Sequence, residues 1–255
     1  MKTFRIIVSL LMVCAMIFAF AACGGGGEVE KSVASVSEET AEVDMDNISI
    51  NTQSSIKIKG SKTIYIDPFK RTNSTFDADI VLITHPHYDH YDVESLKSVI
   101  GQDTLIICPE SMFDDLVSLG LKADATALEA GGVFTAKGVS VEAVPAYNEK
   151  KKFHPKKKGW LGYIVTMDGV RYYAAGDTDA LDELKTISCD VAMVPVGGKY
   201  TMTAEEAAGL VNSIAPKYAV PIHYGSIVGK RSDADTFAAA VDEGITVVKK
   251  VDDAR

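Results

Sequence analysis

The 255-residue chain is 47% hydrophobic and carries 26 basic against 35 acidic side chains, a net charge of −9. That apolar content excludes an intrinsically disordered protein, and the acidic balance argues against a nucleic-acid binder, which needs a basic face. Four cysteines without a Cys-x-x-Cys pair exclude a disulfide scaffold and a cysteine-built structural zinc site.

Lys2 and Arg5 precede an uncharged apolar run from Ile6 to Ala22, the order of a secretory signal. The run is at the short end for a membrane span, and no basic cluster follows it. It closes on Ala21, Ala22 and Cys23, then Gly24 to Gly27. Small residues directly before a cysteine resemble the bacterial lipobox. The resemblance implies that 1–22 is a signal peptide, that Cys23 is lipidated, and that the protein is held outside the cytoplasm by its acyl chains. Residues 23–47 read as a flexible acidic tether, with Glu28, Glu30, Glu38, Glu39, Glu42, Asp44 and Asp46 against Lys31. The remainder, 48–255, is long enough for one domain.

Within that domain, short apolar runs predict strands. They lie at Ile48 to Ile58, Thr63 to Asp67, Asp79 to Thr84, Thr104 to Cys108 and Val139 to Val144. Further runs follow at Gly162 to Met167, Arg171 to Ala175, Val191 to Val196, Tyr218 to Ile222 and Thr246 to Val251. Asp168-Gly169 predicts a hairpin turn between two of them. Helices are expected over Val93 to Ile100, Ser111 to Leu119, Leu181 to Leu184, Ala204 to Ile214 and Ser232 to Glu243. The fourth opens on the capping box Thr203-Ala-Glu-Glu206. Interspersed strands and helices indicate an α/β layered fold. Cys108 and Cys189 sit in apolar runs and read as buried thiols.

The chemistry concentrates in Thr84-His85-Pro86-His87-Tyr88-Asp89-His90, which holds three of the chain's five histidines. His85 and His87 leave the end of a strand at i, i+2, a spacing that can put two imidazoles on one side. Asp89 and His90 continue into a turn and can face a second ion. Imidazole and carboxylate donors suit zinc or manganese.

This His-x-His-x-Asp-His pattern after an apolar strand resembles the signature of the metallo-β-lactamase superfamily. The resemblance continues through Gly176-Asp177-Thr178-Asp179 and Pro221-Ile222-His223-Tyr224. The stretch Val196 to Glu206 looks like the branch related to L-ascorbate-6-phosphate lactonases. It implies a four-layer αββα sandwich with one or two divalent ions at a sheet edge. His85 and His87 would hold the first ion, Asp89, His90 and His223 the second, and Asp177 would bridge them. Hydrolysis would proceed by a metal-bound hydroxide on an ester, lactone or phosphodiester-like substrate, with Asp89 orienting the nucleophile. The competing expectation is a binding lipoprotein that keeps the fold without turnover.

One position departs from that pattern. Where many members carry a third histidine for the first ion, this chain has Asn148. Either the first ion is loosely held, or His154 supplies the donor, or one metal suffices. Asp67, at a strand end, can accept the free N–H of a ligand histidine or cap the turn at Pro68. Lys150 to Lys152 and Lys156 to Lys158 form a dense positive stretch, either a solvated loop or a rim for an anionic small-molecule substrate or anionic lipid headgroups. Trp160, the only tryptophan, reads as a packing anchor.

Overall fold

The computed structural model describes residues 42–251. The apolar run 1–22, Cys23 and the acidic segment as far as residue 41 lie outside the described residues. Val43 is already buried in the core, and a 3₁₀ turn over Met45–Asn47 leads into the first strand.

Thirteen strands are described. In chain order they are β1 Ile48–Ile50, β2 Ile56–Lys59, β3 Thr63–Ile66, β4 Ala78–Leu82, β5 Ile100–Pro109, β6 Asp124–Leu128, β7 Val133–Ala136, β8 Val139–Pro145, β9 Leu161–Met167, β10 Val170–Ala174, β11 Val191–Pro195, β12 Tyr218–Ile222 and β13 Thr246–Val247. β1 to β6 form one sheet in sequence order, and β13 to β7 form a second in reverse order. In each sheet three consecutive strand pairings are parallel, and the other two or three are antiparallel.

The four helices are α1 Val93–Val99, α2 Phe113–Ser118, α3 Ala204–Ile214 and α4 Asp233–Ala240. Continuous apolar runs arise because the central strands are covered on both faces. On β4, Ile80 and Leu82 point into a core between the sheets, while Val81 packs with Leu96 and Val99 of α1 and Leu116 of α2. On β11, Val191 and Met193 join the same central core, while Ala192 and Val194 pack with Leu210 of α3 and Phe237 of α4. The layers are therefore helix, sheet, sheet, helix, as the sequence resemblance implied.

The capping box forms: Thr203 Oγ1 accepts from Glu206 N at 3.2 Å, and Glu206 Oε2 accepts from Thr203 N at 2.9 Å. The Asp168-Gly169 turn joins β9 to β10, both residues with positive φ, as a two-residue hairpin requires. Elsewhere the prediction is corrected. Ile48 to Ile58 is two strands, because five polar residues from Asn51 to Ser55 make a turn closed by Ser55 N donating to Thr52 O at 2.9 Å. The helix at Leu181 to Leu184 is a 3₁₀ turn over Asp182–Thr186. β6 and β7 had no clear signal, since they lie at the sheet edges and are only partly buried. Cys108 and Cys189 are unpaired, and burial pushes both thiols up to about 12.

Candidate metal centre

The site forms where the carboxyl ends of β4, β8, β10 and β12 meet at one edge of both sheets. Leu161 N donates to Thr84 O at 3.1 Å and the Tyr163 hydroxyl to Ile83 O at 2.8 Å, tying the start of β9 to the His85 loop. Gly176 brings the β10 loop in at φ +64. A Cβ there would lie 2.9 Å from Leu161 O, so a side chain would push the Asp177 loop away from the histidines.

Five histidines and two aspartates converge. His85 Nε2 and His154 Nε2 each lie 3.1 Å from His87 Nδ1, and His154 Nε2 is 3.2 Å from Asp177 Oδ2. On the other side, His90 Nε2 is 3.3 Å from Asp177 Oδ1. His223 Nε2 is 3.4 Å from Asp177 Oδ2 and 3.4 Å from Asp89 Oδ2. Donors bound at ~2.0–2.2 Å around one tetrahedral ion stand ~3.3–3.6 Å apart, and these spacings of 3.1–3.4 Å lie at or just under that range, close enough for the side chains to share a small divalent ion. His90 Nε2, His223 Nε2 and Asp177 Oδ1 are buried without a hydrogen-bond partner, which a cation between them would satisfy.

A hydrogen-bond chain behind the centre fixes which ring nitrogens face inward. Asp67 accepts from Thr84 N at 2.8 Å and from Thr84 Oγ1 at 2.6 Å, and pairs with His90 Nδ1 at 2.7 Å. The Thr84 hydroxyl donates to Asp67, so its lone pair accepts from His85 Nδ1 at 3.0 Å. Protons therefore sit on Nδ1 of both His85 and His90, and both Nε2 atoms point toward the centre. One buried carboxylate orients a histidine from each donor set. Asp67 thus meets a histidine N–H, the first of the roles open to it in the sequence.

Burial and the neighbouring His90 hold His85 well below the ordinary imidazole range, which suits a neutral ligand. His90 goes the other way. Burial works to lower it, but the Asp177 and Asp67 carboxylates outweigh that and raise it to about 9. Burial works to raise Asp177, yet the surrounding histidines hold it well below the carboxylate range. Asp89 is lowered against its own burial by the His223 contact.

Of the alternatives at the departing position, His154 joins His85 and His87, and these ring nitrogens lie within 4.8 Å of one another. Asn148 stands on the far side of that imidazole. Its amide nitrogen donates to Phe153 O at 2.9 Å and Tyr200 O at 2.7 Å, and lies 3.2 Å from His154 Nδ1. The residue that breaks the motif thus braces its replacement. His154, His223 and Asp67 all have positive φ (57°, 57° and 46°), a strain concentrated at the site and held by bonds such as Gln53 O to His223 N at 3.0 Å. Sequence reasoning missed Thr84 as the relay, although it directly precedes the histidine motif. Trp160 is buried as the packing anchor the sequence indicated, its ring 5.0, 5.0 and 5.5 Å from the rings of His85, His87 and His154.

Residues 48–223 match the family model described as the beta-lactamase superfamily domain. A UPF0173 metal-dependent hydrolase of Methanoregula boonei is 33% identical over 198 residues, covering 73% of this chain and 86% of that protein. One from Pyrococcus furiosus is 31% identical, covering 75% and 90%. Among solved structures, Igni18, a metallo hydrolase from Ignicoccus hospitalis, superposes with a TM-score of 0.65 at 25% identity, covering 80% of this chain and 95% of its own.

Proposed function

The chain belongs to the β-lactamase superfamily and is a metal-dependent hydrolase, and from that premise we propose that it cleaves ester, lactone or phosphodiester-like bonds at a two-ion centre held outside the cytoplasmic membrane. His85, His87 and His154 are assigned to one ion, Asp89, His90 and His223 to the other, with Asp177 between them. A divalent cation in such a mixed imidazole–carboxylate setting, zinc first and manganese second, supplies Lewis acidity that activates water and stabilises a developing oxyanion.

The chain's own groups do the rest. Asp89, more exposed than Asp177, is held ionised and its Oδ2 would accept a hydrogen bond from the attacking water and orient it. The Asp67–Thr84 chain keeps the protons on Nδ1 of His85 and His90, so that their Nε2 atoms remain donors. Trp160 walls off the rings of His85, His87 and His154 and limits water behind them.

The observation that carries this reading is the buried Asp177 carboxylate, which lies 3.2 Å from His154 Nε2 of one donor set and 3.3 and 3.4 Å from His90 and His223 Nε2 of the other. Resemblance of Val196 to Glu206 to lactonases supports the lactone arm, and Ala21-Ala22-Cys23 supports lipid anchoring. The test is turnover of a panel of p-nitrophenyl esters, lactones and bis-p-nitrophenyl phosphate by the full chain. At least one class should be hydrolysed, with activity lost on chelation and restored by zinc or manganese. No turnover, or turnover indifferent to chelation, would refute the reading.

A further inference from the structure

The loop from Glu149 to Gly159 places His154 in the centre and leaves Glu149, Lys150, Lys152, Phe153 and Lys156 to Lys158 exposed. His154 is buried, while Phe153 immediately before it is 48% exposed. Tyr88, immediately after His87, is 65% exposed, and Ile227, four residues beyond His223, is also exposed. Exposed large apolar side chains therefore flank three of the centre's histidines. Tyr88 and Phe153 directly adjoin His87 and His154, whose ring nitrogens lie 3.1 Å apart, so an exposed aromatic ring stands on each of the two loops that bring these histidines together.

Charge is gathered on the same loop as Phe153. Lys151 is anchored, ion-paired to Asp179 and 3.7 Å from Glu206. Lys156 reaches the Tyr147 hydroxyl at 3.0 Å and Glu183 at 3.8 Å. These two fix the loop. Lys150, Lys152, Lys157 and Lys158 are exposed, and among the described residues none of their ammonium groups forms an ion pair. All four lie within four residues of His154, in a chain whose net charge is −9. A fixed loop with four unneutralised cations beside an exposed aromatic ring matches a ligand that is both anionic and apolar. The Phe153 ring is itself held edge-on against Tyr200 at 4.7 Å, so the apolar element is positioned.

We propose that the site takes anionic amphiphiles, with the negative group met by Lys150, Lys152, Lys157 and Lys158 and the apolar body by Phe153 and Tyr88. This deepens the hydrolase reading and rests on it for the assignment of His154, but it is tested without turnover. Two sources share the chemistry: a soluble acyl or aryl anion, and the headgroup region of an anionic bilayer.

The experiment measures binding of sulfonates, which are weak metal ligands, to the metal-loaded full chain by calorimetry. Decanesulfonate carries charge and tail, ethanesulfonate only the charge, and decyl maltoside only the tail, each kept below its micelle concentration. Decanesulfonate should bind roughly tenfold or more tighter than either half-probe, because several weak exposed contacts sum. The variant with Lys150, Lys152, Lys157 and Lys158 all changed to Ser should lose that advantage while keeping its metal content. Phe153→Ser should lose the contribution of the tail and keep that of the charge. Should the quadruple variant lose metal, Phe153→Ser alone decides. Equal binding of all three probes, or variants that bind as the parent does, would overturn the proposal.

To separate the sources, parent and quadruple variant are compared on phosphatidylglycerol–phosphatidylcholine and pure phosphatidylcholine vesicles. Both carry the same N-terminal segment, so only the difference between them reports on the loop. A preference for anionic vesicles lost in the variant assigns the bilayer, and no such loss assigns a soluble amphiphile. Inactivity on the hydrolysis panel would strike the hydrolase reading and leave the binding result standing.

Discussion

Asp67→Asn removes one negative charge and almost no volume, and Asn tolerates the φ of +46° at this position. Its effect follows from the three donors that Asp67 meets: Thr84 N, Thr84 Oγ1 and His90 Nδ1. An amide has one oxygen. If that oxygen takes Thr84 N, the amide nitrogen faces the Thr84 hydroxyl and His90 Nδ1. The hydroxyl must then turn away, and His90 must move its proton to Nε2, the atom 3.3 Å from Asp177. If the amide flips, it leaves two donors in contact at Thr84 N, which costs about 1–3 kcal/mol of stability. In the first arrangement His90 is in the wrong tautomer for a ligand, and His85 loses the relay that holds its Nδ1 proton. Partners of this kind are worth ~10–100-fold in metal affinity, or about 1.4–2.7 kcal/mol. Because Asp67 serves His85 and His90, both binding steps should weaken. The assay is zinc titration of the chelator-stripped chain against a chromophoric competitor, with Trp160, the only tryptophan, as an internal fluorescence reporter. Affinities within twofold of the parent at both steps would refute the relay.

His154→Ala should abolish the tighter binding of one ion and leave the other, whereas Asn148→Ala should weaken that same ion by only ~10–100-fold, as a brace rather than a donor; metal titration of both ranks them. Asp77 predicts an acid limb in stability. Burial works to raise its carboxyl, but hydrogen bonds from Lys57, Thr75 and Tyr65 prevail and lower it from 3.8 to about 2. The stabilisation is therefore full above the unfolded value and lost as pH falls through the folded one. Melting temperatures of the parent and Asp77→Asn should differ near neutral pH and converge between 3.8 and about 2, with a modest gap because the carboxylate is partly exposed and screened. Cys23→Ala should release or mis-process the protein in fractionated cells, and normal processing with full membrane retention would remove the lipid anchor.

The histidine motif was legible because its chemistry is local: the residues from His85 to His90 arrive together at one strand end. Asp177 and His223 were legible through short motifs at the ends of other strands. The doubly covered strands were equally plain, since β4 and β11 are apolar on both faces. What sequence left open depended on distance through space. The choice between Asn148 and His154 is decided by a left-handed turn at His154 and the carbonyls of Phe153 and Tyr200, none of which has a sequence periodicity. The sharing of Asp67 between two donor sets requires β3 and β4 to lie side by side in parallel register, with Ile66 opposite Leu82.

The central claim is that one carboxylate joins two ion positions. Elemental analysis of the purified full chain after zinc loading and removal of unbound metal tests it most directly, alongside Asp177→Ala and Asp182→Ala. Asp182 is an exposed carboxylate that pairs with Lys185, outside the centre. The account predicts about two ions per chain in the parent and in Asp182→Ala, and a loss at both positions in Asp177→Ala, because its oxygens face both donor sets. Parent-like metal content in Asp177→Ala would contradict it.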